Sequence, residues 1–217
     1  MKTIFLHLFS CFFIGTVYSQ PFIDEVRLYQ QYDIVNLPKK QSILFVGSSS
    51  FRLWKDYQSY FPGFNIINRG IGGSSLPDII RYSKEMITSY QPKQIVIYCG
   101  ENDFASSDTI TSIHVTSKFI DLFSIIRNDL PQAHISFISI KPSPSRWKHK
   151  DKIIAANASI KLFLNNQTNT SFINVWDSML DIYGKPLSNI YKSDSLHMNV
   201  NGYIIWKNII TPYLIKQ

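Results

Sequence analysis

Residues 43–51 read Ile-Leu-Phe-Val-Gly-Ser-Ser-Ser-Phe. Four apolar residues run straight into a glycine and three serines. A short, continuously apolar run suits a strand buried on both faces, as parallel sheets require. The residues after it have two readings. Gly and Ser are ordinary turn formers, so the run can simply end in a turn. Alternatively, one of Ser48, Ser49 and Ser50 is a nucleophile carried at the strand's end. The stretch alone leaves both open.

Outward from it, strand-like and helical patterns alternate. Residues 24–35 read as a short helix closed by Pro38, and residues 42–46 as the first strand. Residues 65–68 form the second strand, and residues 77–90 have helical spacing, with Ile79, Ile80, Met86 and Ile87 able to share a face. Strands are expected at 94–98, 134–140 and 171–175. Helices are expected at 112–130, stopped by Pro131, at 151–164 and at about 200–215. Strands alternating with helices imply an α/β fold with a parallel sheet covered on both faces. Ligand sites in such sheets form beyond the carboxyl ends of the strands. The loops to inspect are therefore 47–50, 69–75, 100–103, 141–150 and 177 onward.

The chain has 217 residues, 45% hydrophobic and 17% charged, with a formal net charge of +7. That is room for one well-buried core and little for two. The positive excess is scattered and reads as a solvated surface. Residues 1–19 stand apart. Lys2 supplies a charge, an apolar stretch runs from Ile4 to Val17, and Val17-Tyr18-Ser19 offers a small residue for cleavage. This reads as a secretory signal peptide, short for a membrane span of about 20 residues. The expected division is a leader at 1–19 and a single domain at 20–217, placed outside the cytoplasm, secreted or periplasmic. Lipoprotein anchoring at Cys11 is not expected, because its flank is a poor match. Without the leader only Cys99 remains, so no internal disulfide can form. Cys99 ends an apolar run and reads as a small buried hydrophobe.

Four loops carry complementary chemistry. Gly47-Ser48-Ser49-Ser50 follows the first strand, and Asn68-Arg69-Gly70-Ile71-Gly72-Gly73 the second. Gly100-Glu101-Asn102-Asp103 follows the third, and Asp194-Ser195-Leu196-His197 precedes the last helix. Asp and His three apart can share one side of a turn, where the carboxylate would orient the imidazole and stabilise its charged form. The pair could equally open a helix, with Asp or Ser as the cap. A glycine loop can aim a backbone N–H outward, and Asn102 can offer a side-chain N–H. Read singly, each is an ordinary turn.

Taken together, these four blocks resemble the GDSL or SGNH hydrolase superfamily, over nearly all of the span from Ile43 to His197. Gly100-x-Asn102-Asp103 and Asp194-x-x-His197 are its more specific elements here. The usual G-D-S reads Gly47-Ser48-Ser49, without the aspartate. The G-x-S register selects Ser49, while Ser48 and Ser50 stay open. The G-S-S-S start with Arg52-Leu53-Trp54 is similar to a bacterial branch with platelet-activating-factor acetylhydrolase-like and lysophospholipase-like members. The resemblance implies a flavodoxin-like three-layer α/β/α sandwich with a five-stranded parallel sheet of order 2-1-3-4-5. It implies Ser49 as nucleophile, His197 as base and Asp194 as its orienter. The backbone N–H groups of Ser49 and Gly73 and the Asn102 side chain would form the oxyanion hole. The implied activity is a serine esterase acting on small-molecule or polysaccharide acyl esters. Acyl transfer to a sugar, or carbohydrate binding without catalysis, are the other readings of the same scaffold.

No cofactor is expected, and no clustered His/Cys spacing suggests a metal. Lys141 to Lys150 reads as a solvated, proline-stiffened connection whose place on the active edge makes it a candidate specificity wall. Arg52 and Trp147 are the candidate substrate contacts. Trp54, Trp176 and Trp206 read as core or rim packing. The basic run is brief and no nucleic-acid-binding module accompanies it. No later segment is long and apolar enough for membrane insertion once the leader is gone. Asn157 and Asn169 match glycosylation acceptors.

Overall fold

The computed structural model describes residues 20–216, so the leader expected at 1–19 lies outside the described residues. Five parallel strands form one sheet in the order β2-β1-β3-β4-β5. They are β1 (Ile43–Gly47), β2 (Ile66–Gly70), β3 (Gln94–Tyr98), β4 (His134–Ile138) and β5 (Thr170–Ile173). The register aligns the chemistry. Gly47 at the end of β1 lies opposite Gly70 of β2 and Tyr98 of β3, so the loops that follow leave from one edge.

The period of two along each strand sorts side chains into two cores. Leu44, Val46, Ile95, Ile97, Ile135 and Phe137 face one layer. Its helices are α1 (Ile23–Val35), α4 (Leu76–Arg81), α5 (Ser83–Met86), α7 (Ser112–Asp129) and α8 (Lys150–Asn165). Ile43, Phe45, Val96, Tyr98 and Ile138 face the other layer. There they meet α2 (Ser49–Arg52), α3 (Tyr57–Tyr60) and α9 (Val200–Ile210). The remaining helix is α6 (Glu101–Ser106), directly after β3. The three-layer arrangement and strand order are those the resemblance implied. Among the described residues no helix is long and apolar enough to cross a membrane.

The second core is aromatic and sits directly under the serine loop that follows β1. Phe45 stacks on Phe51 of α2 at 4.8 Å between centroids, and Trp206 packs edge-on against Tyr98 at 4.7 Å. Trp54 lies in the same cluster, stacked on Tyr203. Trp54 and Trp206 are thus core residues, as expected. Cys99 is also fully buried. α1 is fastened to the end of β2 by a polar clamp. Arg69 is held between the rings of Tyr29 and Tyr90, pairs with Asp33 and donates to the Tyr90 hydroxyl at 2.7 Å.

Several expectations change in detail. The helix expected at 77–90 is three pieces, α4, α5 and a 3-10 turn at Thr88–Tyr90, because the backbone leaves helical geometry at Tyr82 and Ile87. The last helix stops at Ile210, where Pro212 enforces a 3-10 turn. The connection after β4 is not simply solvated. Lys141, Ser143 and His149 are buried, and Pro144–His149 is a 3-10 helix. Asn157 is also buried, with its amide spanning the Ile140 N–H and carbonyl at 2.8 and 2.9 Å. It is therefore a structural bracket and inaccessible to glycosylation in the folded chain.

Candidate active site

The serine loop after β1 is shaped by one glycine. Gly47 has φ +141°, and a Cβ there would lie 1.9 Å from the Tyr98 carbonyl oxygen. With no side chain, β1 can press against β3, and the Ser48 N–H donates to that same carbonyl at 2.9 Å. Ser48 then turns the chain into α2, whose first residue is Ser49. The following residues hold this helix down: Phe51 and Trp54 are buried, and the Asn68 amide donates to the Phe51 carbonyl at 2.8 Å.

The structure separates the three serines. Ser48 and Ser50 are buried and Ser49 is half-buried. The Ser49 hydroxyl lies 3.1 Å from His197 Nε2, a residue 148 positions away. His197 Nδ1 lies 2.7 Å from Asp194 Oδ2. An ionised carboxylate only accepts, so Nδ1 carries the proton and Nε2 presents its lone pair to the serine hydroxyl. Asp194 is itself fixed, its other oxygen accepting the backbone N–H groups of Leu196 and His197 at 2.9 Å each. Ser195 takes a left-handed φ of +58° to close this turn. Asp194 and His197 therefore share a tight turn before α9. The helix cap is Asn199, which accepts from Asn201 and Gly202.

Withdrawal from water alone would raise the Asp194 carboxyl. The His197 backbone N–H, its ring and the Leu196 N–H outweigh that and hold it at about 2. Because the folded value lies below the ordinary 3.8, the stabilisation is complete above 3.8 and is lost as pH falls toward 2. A carboxyl NMR titration should find Asp194 still ionised at about pH 3, where an unperturbed aspartate is largely protonated. A midpoint near 4 would mean that the turn does not hold its bonds in solution.

The glycine loop and α6 are bolted together. Asp103 accepts the Leu76 N–H at 3.1 and 3.2 Å, and burial pushes its carboxyl up to about 6. Asn102 donates one amide hydrogen to the Ser74 carbonyl at 2.9 Å, and among the described residues the other has no acceptor. Gly73 has φ +82°, a left-handed conformation that suits glycine. Among the described residues the backbone N–H groups of Ser49 and Gly73 donate no hydrogen bond.

Beneath this surface lies a charged network. Glu101 and Lys141, side chains 6% and 1% exposed, form an ion pair at 2.7 Å. The Tyr98 and Ser143 hydroxyls also donate to the Glu101 carboxylate, at 2.9 and 2.6 Å. Lys141 Nζ stands 5.7 Å from the Tyr191 ring centre, and the Tyr191 hydroxyl donates to the Pro142 carbonyl. The Ser145 N–H then reaches the Ser195 carbonyl at 3.1 Å. The network thus joins the strand below Asn102 to the turn that carries His197. Glu101 and Lys141 lie forty positions apart, and no local signal in the sequence joins them.

The candidate substrate contacts, Arg52 and Trp147, are both half-buried. Arg52 forms a loose 3.6 Å ion pair with Glu25. Trp147 stacks on Trp176 at 6.1 Å, with Lys150 and Lys185 each 5.6 Å from its ring centre.

No protein-family model matches the chain. An N-acylneuraminate cytidylyltransferase of Escherichia coli is 27% identical over 175 residues, covering 77% of this chain; the chain spans only 39% of that relative. Solved structures agree over much more of their length. A platelet-activating-factor protein of Streptococcus pneumoniae superposes with a TM-score of 0.77 at 20% identity, over 88% of this chain and 92% of its own. A GDSL-like lipase of Bacteroides thetaiotaomicron gives 0.74 at 21%, over 87% and 96%. An acetylxylan esterase of Geobacillus stearothermophilus gives 0.65 at 14%, over 81% and 95%. By fold, this chain stands with GDSL-like lipases and acyl esterases.

Proposed function

We propose that this chain is a serine esterase of the GDSL/SGNH type that cleaves small acyl esters. With residues 1–19 acting as a secretory leader, it works outside the cytoplasm. The observation that carries the reading is the relay from Ser49 through His197 to Asp194, at 3.1 and 2.7 Å, built from residues far apart in the chain. His197 Nε2 takes the Ser49 proton as Oγ attacks the ester carbonyl carbon. The tetrahedral oxyanion is met by the free N–H groups of Ser49 and Gly73 and the second amide hydrogen of Asn102. His197 gives its proton to the departing alcohol, leaving an acyl-serine. Water, deprotonated by the same nitrogen, releases the acid and regenerates Ser49. Asp194 stabilises the imidazolium formed in both halves.

Two substrate groups fit best: O-acetyl groups on carbohydrate, and lysophospholipid-type acyl chains. The neighbours include an acetylxylan esterase and a GDSL-like lipase, which supports the class without choosing between them. Nitrophenyl esters from acetate to palmitate decide: a steep fall after acetate indicates deacetylation, and a preference for long chains a lipase-like role. No cleavage of any chain length would defeat the proposal. Asn102→Ala should lower kcat by roughly 10²–10³ with a smaller effect on KM, the signature of a donor used in the transition state. An unchanged kcat removes Asn102 from the oxyanion hole.

A further inference from the structure

Beside the relay lies a group of cations that form no ion pair among the described residues. Ten residues, Lys141 to Lys150, follow β4, and the Ser145 N–H bonds the Ser195 carbonyl two residues before His197. The next residue, Arg146, is half-buried, and its Nε is buried without a partner. Lys150 and Lys185 stand over Trp147, the next residue again. Among the described residues none of Arg146, Lys150 and Lys185 forms an ion pair.

Most acids nearby are already committed, and Asp151, the exposed residue after Lys150, forms no ion pair among the described residues. Asp108 pairs with Lys148 at 3.0 Å, and Asp177 accepts from Asn174 at 2.7 Å. Asp181 accepts the Tyr183 and Lys185 N–H groups at 2.8 and 2.9 Å, and Asp194 holds His197. The same Asp181 turn fixes the backbone that carries Lys185. Lys150 opens α8, where a cation opposes the helix dipole and Asp151 beside it partly offsets that charge. Burying a guanidinium nitrogen with nothing to donate to is costly unless something arrives.

We infer that Arg146, Lys150 and Lys185 bind an anionic group on the alcohol portion of the substrate, so that the preferred ester is one whose alcohol carries a carboxylate or phosphate. Arg146 supplies a forked donor set suited to either group, and the two lysines supply charge. Trp147 spaces the cations: Trp176 and the two ammonium groups already occupy its surroundings. The inference rests on the esterase reading for the identity of the ester, but its binding component can be read without turnover.

The test uses matched pairs: acetylated glucuronic acid against acetylated glucose, and acetylated glycerol phosphate against acetylated glycerol. The wild-type chain should favour the acidic member of at least one pair in kcat/KM by about 10- to 100-fold, the worth of a charge-assisted hydrogen bond. Which pair shows the preference tells carboxylate from phosphate. Arg146→Met should bring that ratio close to one, and Arg146→Lys should restore part of it. Calorimetry on Ser49→Ala with each ester provides the readout free of turnover. If neither pair is cleaved but the acidic ester binds more tightly, the anion site stands and the esterase reading falls. Equal binding, or equal turnover of acidic and neutral esters by the wild type, overturns the inference.

Discussion

Replacing Ser49 by alanine should abolish ester cleavage, with a loss on the order of 10⁵–10⁶-fold in kcat and almost none in stability. The large kinetic effect follows from the proposed role of Ser49 Oγ as the atom that forms the covalent bond. Without Oγ the imidazole has no hydroxyl to deprotonate, and what survives is the contribution of the oxyanion donors and binding. The small thermodynamic effect follows from the surroundings. Ser49 is half-buried and its hydroxyl bonds only to His197 among the described residues, so its loss orphans no buried group. A change within about 0.5 kcal/mol is expected, as for substitutions away from cores and caps. Ser48→Ala and Ser50→Ala provide the contrast, since both serines are buried and neither hydroxyl approaches His197. A fluorophosphonate should label the wild type and leave Ser49→Ala unlabelled. Full activity in Ser49→Ala would end the proposed mechanism.

The candidate relay was legible in the sequence because its residues are tied to strand ends. Gly47, Gly100 and the Asp194–His197 spacing each sit where an apolar run stops or a helix is about to begin. The alternating pattern then places those loops on one edge. What stayed hidden depends on pairings between distant residues. Glu101 and Lys141 are forty positions apart, and each reads locally as an ordinary surface charge. Gln94 is similar: its amide, fully buried, holds the chain end by accepting from the Ile215 N–H and donating to the Tyr213 carbonyl, with no local trace of either bond. The break at Tyr82 was invisible for another reason. Helical periodicity continues across it, and the chain departs from the helix while Tyr82 packs in the core and its hydroxyl reaches the Pro21 carbonyl at 2.6 Å. Short helices such as α2 and α6 carry too few residues for a periodic signal.

Lys141→Met should be the most damaging single substitution for stability among the polar residues near the site. It would leave the Glu101 carboxylate buried with only the Tyr98 and Ser143 hydroxyls as partners. Breaking a buried pair from one side costs about 3–5 kcal/mol, because the remaining charge has lost both its counter-ion and its water. For a domain of this size that is a fall of roughly 6–20 °C in Tm. The pair itself need not be stabilising. Replacing both charges can be nearly neutral, so Lys141→Met with Glu101→Gln should recover most of the loss. Activity separates a second consequence. Glu101 precedes Asn102, and Lys141 lies four residues before Ser145, which bonds the His197-bearing turn. In the double variant, held well below its unfolding temperature, kcat should therefore fall while KM moves little, because the proposed oxyanion donor and base would lose their mutual alignment rather than their contact with substrate. A Lys141→Met variant destabilised by less than about 1 kcal/mol would mean that water already reaches the pair. A double variant of wild-type kcat would mean that the network supports the fold without aligning the site.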